Sequence, residues 1–290
     1  MTARLHWPAG TATDAADPVA ITPQLADWRY TGLRVIRVPA GQRREIATES
    51  RELLVLPLSG ACEVTVEGRR YSLEGRESVF DGISDYLYLP RDCRATIESA
   101  GGAEVALPSA ETDRTLTTAY VPARDVPIET RGAGTATRQI NNLFVAGGVP
   151  AHRLVVVEVL TPAGNWSSYP PHKHDDGTAP GEAELEEIYY FRIRGRDGFG
   201  IHRTYTADHA IDETVTVRDG DVFLVPRGYH GPCVAPPDFP MYYLNVLAGQ
   251  SDSRSLGFTD DPAYAWIRAE WRRQAPDPRV PLVTLAGAAS

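Results

Sequence analysis

Gly220-Asp221-Val222-Phe223-Leu224-Val225-Pro226-Arg227-Gly228-Tyr229-His230 has the pattern of a short apolar strand held between two turns, with a histidine just past the second turn. A related stretch lies in the first half, where Tyr88-Leu89-Pro90-Arg91-Asp92-Cys93-Arg94 matches Leu224-Val225-Pro226-Arg227-Gly228-Tyr229-His230. Working outward, Glu187 precedes IYYFRIR and Gly195, while Glu52 precedes LLVLPLS and Gly60, with the same spacing from acid to glycine. Val38-Pro39-Ala40-Gly41 and Thr161-Pro162-Ala163-Gly164 both follow apolar runs. Three matches in one order indicate two copies of one unit. Other short runs, CEVTVEG at 62–68 and RLVVVEVL at 153–160, are bounded by Gly, Pro, Asp and Ser. The fold class that follows is all-β, two antiparallel barrels with a short C-terminal helix in AYAWIRAEWRR after Asp260-Asp261-Pro262.

The 290 residues suffice for cores without disulfides or structural metals. A formal charge of −9 disfavours a nucleic-acid or anionic-membrane partner. No apolar run reaches the roughly 18 residues of a membrane span, and MTARLHWPAG lacks the apolar core of a signal peptide. Cys62, Cys93 and Cys233 are odd in number and form no C-x-x-C pair, so reduced thiols and a cytoplasmic location are expected. The basic residues are 28 Arg and one Lys, Lys173.

All but one of the seven histidines lie from residue 152 onward. His172 and His174 are two apart and would share one face of a strand. With Glu187 on the next strand and His230 after the Pro-Arg-Gly turn, they form a donor set that suits one divalent metal ion per chain and leaves positions for water or substrate. Zn or Mn is expected first, with Fe, Ni or Co also compatible. His202, His209 and His152 lack this registration, and the first two are expected at the periphery. In the first half Glu52 stands at the acid position, Arg94 stands where His230 is, and no histidine pair precedes Glu52. A guanidinium offers no lone pair to a metal. The first unit, 1–140 with a link near 126–140 containing Arg131-Gly132-Ala133-Gly134, is therefore expected to be a barrel without metal ligands that serves packing or homo-oligomerisation. The second, 141–290, carries the site and the helix.

This layout resembles the cupins, and the two-fold repeat a bicupin. Gly164-Asn165-Trp166-Ser167-Ser168-Tyr169-Pro170-Pro171-His172-Lys173-His174-Asp175 resembles, more narrowly, the 5-deoxyglucuronate isomerases of myo-inositol catabolism. Leu185-Glu186-Glu187-Ile188-Tyr189-Tyr190, Gly198-Phe199, Tyr242-Tyr243-Leu244-Asn245-Val246 and, in the first half, Ser78-Val79-Phe80 agree with it. Phe191-Arg192 and Gly231-Pro232-Cys233 depart from that pattern, away from the proposed ligands. The resemblance implies aldose–ketose isomerisation of 5-deoxy-D-glucuronate, a uronic-acid sugar, to 2-deoxy-5-keto-D-gluconate. A metal ion would stabilise developing charge there, and no organic redox cofactor is needed.

Strand alternation puts Tyr189 on the face of Glu187, and Tyr243 with Asn245 on one face of the last strand. Tyr189, Tyr243 and Lys173 are the candidates for proton or hydrogen-bond work. Arg203, Arg227 and Asn245 are the candidates for substrate binding, since a carboxylate calls for a guanidinium or ammonium. Lys173, between two inward histidines, is expected to face away unless the chain bends after Pro170-Pro171. An iron-dependent cupin dioxygenase would use the same ligands and consume oxygen. A non-catalytic sugar-binding cupin would bind without turnover.

Overall fold

A computed structural model describes residues 4–14, 17–145, 148–251 and 254–285. Nearly all regular secondary structure among the described residues is strand, and the strands pair antiparallel, in keeping with the short turn-bounded runs. One sheet of seven strands runs in the order His6–Trp7, Val222–Val225, Glu186–Ile193, Met241–Ala248, Val155–Thr161, Arg138–Phe144, Ile128–Arg131. Facing it across the second barrel is a six-stranded sheet made from Asp212–Val217, Gly200–Tyr205, Tyr229–Val234, His172–Lys173, Thr259–Asp260 and Trp166–Ser167. The first half forms a nine-stranded sheet system around Arg51–Val66, whose sixteen residues pair with four other strands and carry register shifts at Pro57/Ser59 and Gly60/Cys62. Such bulges bend a long strand so that it serves two sheets.

The seven-stranded sheet is buried on both faces, which explains why its strands read as continuous apolar runs rather than alternating ones. On Glu186–Ile193, Tyr189, Phe191 and Ile193 pack into the second barrel with Val157, Phe223, Met241 and Tyr243. Ile188 and Tyr190 face the other way, against Leu33, Val35, Leu54, Leu56 and Tyr88 of the first half. The first barrel's interior is apolar, lined by Ile36, Leu53, Val55, Val64, Leu87, Ile97 and Val105 among others.

Three sequence expectations change. The stretch 126–140 is not a link: Ile128–Arg131 and Arg138–Phe144 pair with each other, and the second joins Val155–Thr161. His6–Trp7 likewise adds an edge strand beside Val222–Val225. The register of the internal repeat shifts by one residue. Leu53 lies opposite Leu89 and Glu187 opposite Val225, so the counterpart of Glu187 is Leu53, and Glu52 corresponds to Glu186. A one-residue slip exchanges the two faces of a strand. The equal acid-to-glycine spacings that suggested the other alignment therefore do not reflect equivalent pairing across the strands. Arg94, at the position of His230, is exposed.

The C-terminal helix is present but shorter than its sequence pattern. Residues 262–266 form turns, Ile267–Glu270 a single α-turn, and Trp271–Arg273 a 3-10 turn. Among the described residues no helix is long and apolar enough to cross a membrane.

Candidate metal centre

Glu187 enters from the middle of the seven-stranded sheet, between Leu247 and Val225 on neighbouring strands. His172 and His230 come from the opposite sheet, paired directly across two antiparallel strands. His174 follows two residues on, where its carbonyl accepts from Leu185 N at 2.9 Å and ties the intervening loop back to the start of the Glu187 strand. Within this arrangement Glu187 Oε2 lies 3.1 Å from His174 Nε2 and 3.1 Å from His230 Nε2. The His172 ring centroid is 4.6 Å from that of His230 and 6.3 Å from that of His174. Three donor atoms, one each from His174, Glu187 and His230, fall within 4.8 Å of one another.

The donors fit a metal ion. Glu187 Oε2 and His230 Nε2 are buried and lack any hydrogen-bond partner, a costly state for polar atoms that have nothing to bind. Nδ1 of His172 and Nδ1 of His230 approach the carbonyl oxygens of Pro170 (3.2 Å) and Gly228 (3.4 Å). A carbonyl only accepts, so each Nδ1 bears the proton and each Nε2 keeps its lone pair. Burial, and secondarily His174, drives His172 down to about 3. Burial outweighs the pull of Glu187 and holds His230 well below the ordinary histidine range. Burial alone would raise the Glu187 carboxyl, but His230 and His174 prevail and hold it below its usual value. Imidazoles beside one carboxylate are the ligands of divalent metals. Donors about 2.1 Å from one ion are about 3.0 Å apart at right angles and about 3.4 Å apart at the tetrahedral angle. The observed 3.1 Å separations lie nearer the former.

Around this cluster is a cavity of about 130 Å³ lined by His172, His174, Glu187, Tyr189, Tyr243, Asn245, Ser168, Phe258 and three arginines, Arg131, Arg138 and Arg268. Asn245, expected to touch substrate, donates through Nδ2 to Glu187 Oε1 at 2.6 Å and so aims the other oxygen at the imidazoles. Tyr189 and Tyr243 face inward as alternation predicts, and Ser168 Oγ lies 3.1 Å from both hydroxyls. Ser168 sits at φ 46°. Gly231 makes its approach possible, because a Cβ there would stand 1.8 Å from Ser168 O. Burial first of all pushes both tyrosine hydroxyls above their ordinary value.

Arg203, Arg227 and His202 lie elsewhere than expected, while Lys173 turns away as strand alternation predicts. Lys173 does not line the cavity: its Nζ donates to Asp175 Oδ1 at 2.5 Å and Glu182 Oε1 at 2.8 Å. Arg203 pairs with Asp212 at 3.1 Å and lies over the Tyr205 ring, outside the cavity. Arg227 is exposed and borders a separate surface depression with Trp28 and Glu184. His202 is not peripheral. It is fully buried beneath Tyr189, with Nδ1 3.0 Å from Cys233 Sγ and Nε2 2.9 Å from Thr204 Oγ1. Ser168, Arg138 and Arg268 were missed. Ser168 stands inside a quoted motif, and Arg131 and Arg138 flank the Gly-rich turn, but neither pattern alone shows which way a side chain points.

An antiparallel barrel with imidazoles and a carboxylate converging on its inner face defines a protein of the cupin type whose donor cluster could hold a metal ion. The chain belongs to the KduI/IolB family, whose profile matches residues 7–267. It is 39% identical to a protein of Geobacillus kaustophilus named 5-deoxy-glucuronate isomerase, over 91% of this chain and 95% of that one. A Bacillus subtilis protein of the same name is 37% identical over 85% of this chain and 91% of its own. The crystal structure of an IolB-like protein from Salmonella typhimurium superposes with a TM-score of 0.86 at 33% identity, covering 92% of this chain and all of that chain. Bacillus subtilis oxalate decarboxylase, at 13% identity and a TM-score of 0.62 over 90% of this chain and 80% of its own, shares the fold.

Proposed function

We propose that this protein is a 5-deoxy-glucuronate isomerase that converts 5-deoxy-D-glucuronate to 2-deoxy-5-keto-D-gluconate. The observation that carries the reading is likeness along nearly the whole chain to proteins of that name. The reaction breaks the C–H bond at the carbon next to the aldehyde, passes through an enediol, and delivers a proton to the former aldehyde carbon. The hydroxyl of the neighbouring carbon becomes the ketone, so atoms and electrons balance without an external oxidant.

His174, Glu187 and His230, with His172 beside them, would hold one divalent metal ion. Such an ion, when bound, polarises a carbonyl and supplies several kcal/mol of charge stabilisation. Asn245 keeps the carboxylate of Glu187 turned toward the imidazoles. Tyr189 and Tyr243 stay protonated at neutral pH because burial raises them. They therefore act as hydroxyl donors to substrate oxygens, pre-aligned by Ser168, rather than as bases. Phe258 and Leu256 form apolar parts of the cavity wall and limit water there.

Turnover of 5-deoxy-D-glucuronate in deuterium oxide tests the reading. The expected product carries deuterium at the new hydroxymethyl carbon, and the activity disappears with chelator or with His174→Ala. Isomerisation that persists without metal refutes the metal role. Absence of any isomerisation by the metal-loaded protein refutes the activity itself.

A further inference from the structure

The cavity wall beside the imidazole–carboxylate cluster carries three guanidinium groups, and two of them already have anions. Arg131 is held by both oxygens of Glu129, at 2.8 and 2.9 Å. Arg268 is held by both oxygens of Asp260, at 2.5 and 2.7 Å. Arg138 differs. Only 3% exposed, it donates through Nη1 to the carbonyls of Ala136 at 3.0 Å and Tyr169 at 3.3 Å, and among the described residues it makes no ion pair.

Burial, with Arg131 and Arg268 adding repulsion, draws the Arg138 guanidinium down to about 10, still charged at neutral pH. A charge withdrawn from water without a counter-ion is costly, and chains rarely keep one that nothing uses. Local backbone is shaped to accommodate it. Gly132 sits at φ +89°, and a Cβ there would lie 2.0 Å from Ala136 O and 2.9 Å from Arg138 Nη1. Trp271, whose ring lies 5.4 Å from the Arg138 guanidinium, contributes an indole Nε1 that is itself buried without a partner.

We propose that Arg138 seats the carboxylate of an acidic sugar, completing the ion pair that the folded chain leaves open in the cavity wall. The assignment deepens the isomerase reading and rests on it for the substrate: the aldehyde end of a uronate meets the imidazole–carboxylate cluster, and its carboxylate meets Arg138. The planar fork of a guanidinium matches a carboxylate in both charge and shape, which fixes the direction in which the sugar enters.

Calorimetry on the metal-loaded protein tests it with two probes. One is 5-deoxy-glucuronate with its aldehyde reduced to an alcohol, which keeps the carboxylate and cannot isomerise. The other carries a hydroxymethyl group in place of that carboxylate. The wild type is expected to prefer the acidic probe by about 100-fold, the size of a buried charge-assisted pair. Arg138→Gln abolishes the preference, Arg138→Lys retains about tenfold of it, and the neutral probe binds all three proteins alike. In turnover Arg138→Gln raises KM for 5-deoxy-glucuronate about 100-fold. An acidic-probe affinity unchanged in Arg138→Gln overturns the assignment, as does a preference that vanishes in Arg203→Gln or Arg227→Gln instead. Should Arg138→Gln fail to fold, Arg138→Lys decides, because wild-type affinity for the acidic probe in that variant also overturns it. A wild type that prefers the acidic probe through Arg138, yet turns over no 5-deoxy-glucuronate, sinks the isomerase reading and leaves the carboxylate seat standing.

Discussion

Asn245 and Glu187 share a hydrogen bond at 2.6 Å, and that bond decides which carboxylate oxygen is free. Partners that orient ligands in this way typically govern 10–100-fold in metal affinity. Asn245→Ala is therefore expected to weaken metal binding by about that factor, with little change in melting of the metal-free protein. Competition against a chromogenic chelator measures the first quantity; unchanged affinity would leave the amide without the positioning role. Lys173 illustrates the opposite case. It stands between two histidines of the site, yet strand alternation turns it outward, into Asp175 and Glu182. Because an arginine can keep those ion pairs, Lys173→Arg is expected to retain turnover within about threefold; a loss of a hundredfold or more would return the ammonium to the mechanism. The convergence of His174, Glu187 and His230, with His172 beside His230, was legible because residue type and spacing single these positions out. Asn245 was named for the cavity, but its hydrogen bond to Glu187 was not legible, since that partner lies 58 residues away. Arg138 was hidden in a stretch that composition presented as a linker.

Two carboxylates show how the strands of the halves are locked together. Glu52, at the start of the long first-half strand, accepts from the backbone N–H groups of His152, Arg153 and Leu154 at 2.6–2.7 Å. Glu186, its counterpart in the second half, accepts from Arg29, Tyr30 and Thr31 at 2.7–2.8 Å. Each acid thus clasps the chain just before the other half's leading strand, and the reciprocity is a second trace of the internal repeat. The repeat was legible in the sequence, but its register was not, because residue spacing does not show which residues pair across neighbouring strands. Glu52 is fully buried and also accepts from the Tyr88 hydroxyl at 3.0 Å, so Glu52→Ala removes one acceptor shared by four donors. The expected loss is about 3 kcal/mol or more, about 6–12 °C in melting temperature for a chain of this class, with metal content per folded molecule unchanged. Scanning calorimetry and elemental analysis read the two, and a shift under about 2 °C would remove the clasp from the account of stability. Helix length was misjudged for a related reason. The pattern in AYAWIRAEWRR has no groove to fill: Trp266 stays 62% exposed, while Arg268 is drawn to Asp260 and the cavity. Without tertiary burial so short a segment holds only a turn or two of helix.

Across the whole molecule the seven-stranded sheet separates two kinds of interior. One face packs against the first half through a large apolar cluster with Phe144, Ile188, Tyr242 and Leu244 at its centre. The other lines the second barrel, largely apolar around Phe191, Phe223 and Met241 except for buried His202, and polar where the imidazoles, Glu187 and the arginines meet. That division was legible from the apolar runs and the one-sided distribution of histidines, since burial on both faces removes alternation and metal ligands need interior positions. It also sets what metal removal should do. The apolar packing does not depend on the ion, so the metal-free protein should stay folded and melt in one transition. Binding at 100 times the dissociation constant adds about 2.7 kcal/mol, which corresponds to about 5–10 °C in a chain of this size. Chelation followed by calorimetry should therefore lower the melting temperature by that amount, and adding metal back should restore it. No shift would mean that the cluster of His174, Glu187 and His230 holds no ion; complete unfolding would mean that the ion is structural. A reversible, moderate shift accompanied by loss of the acidic-sugar reaction is the outcome that a preformed barrel with a solvent-reachable metal centre demands.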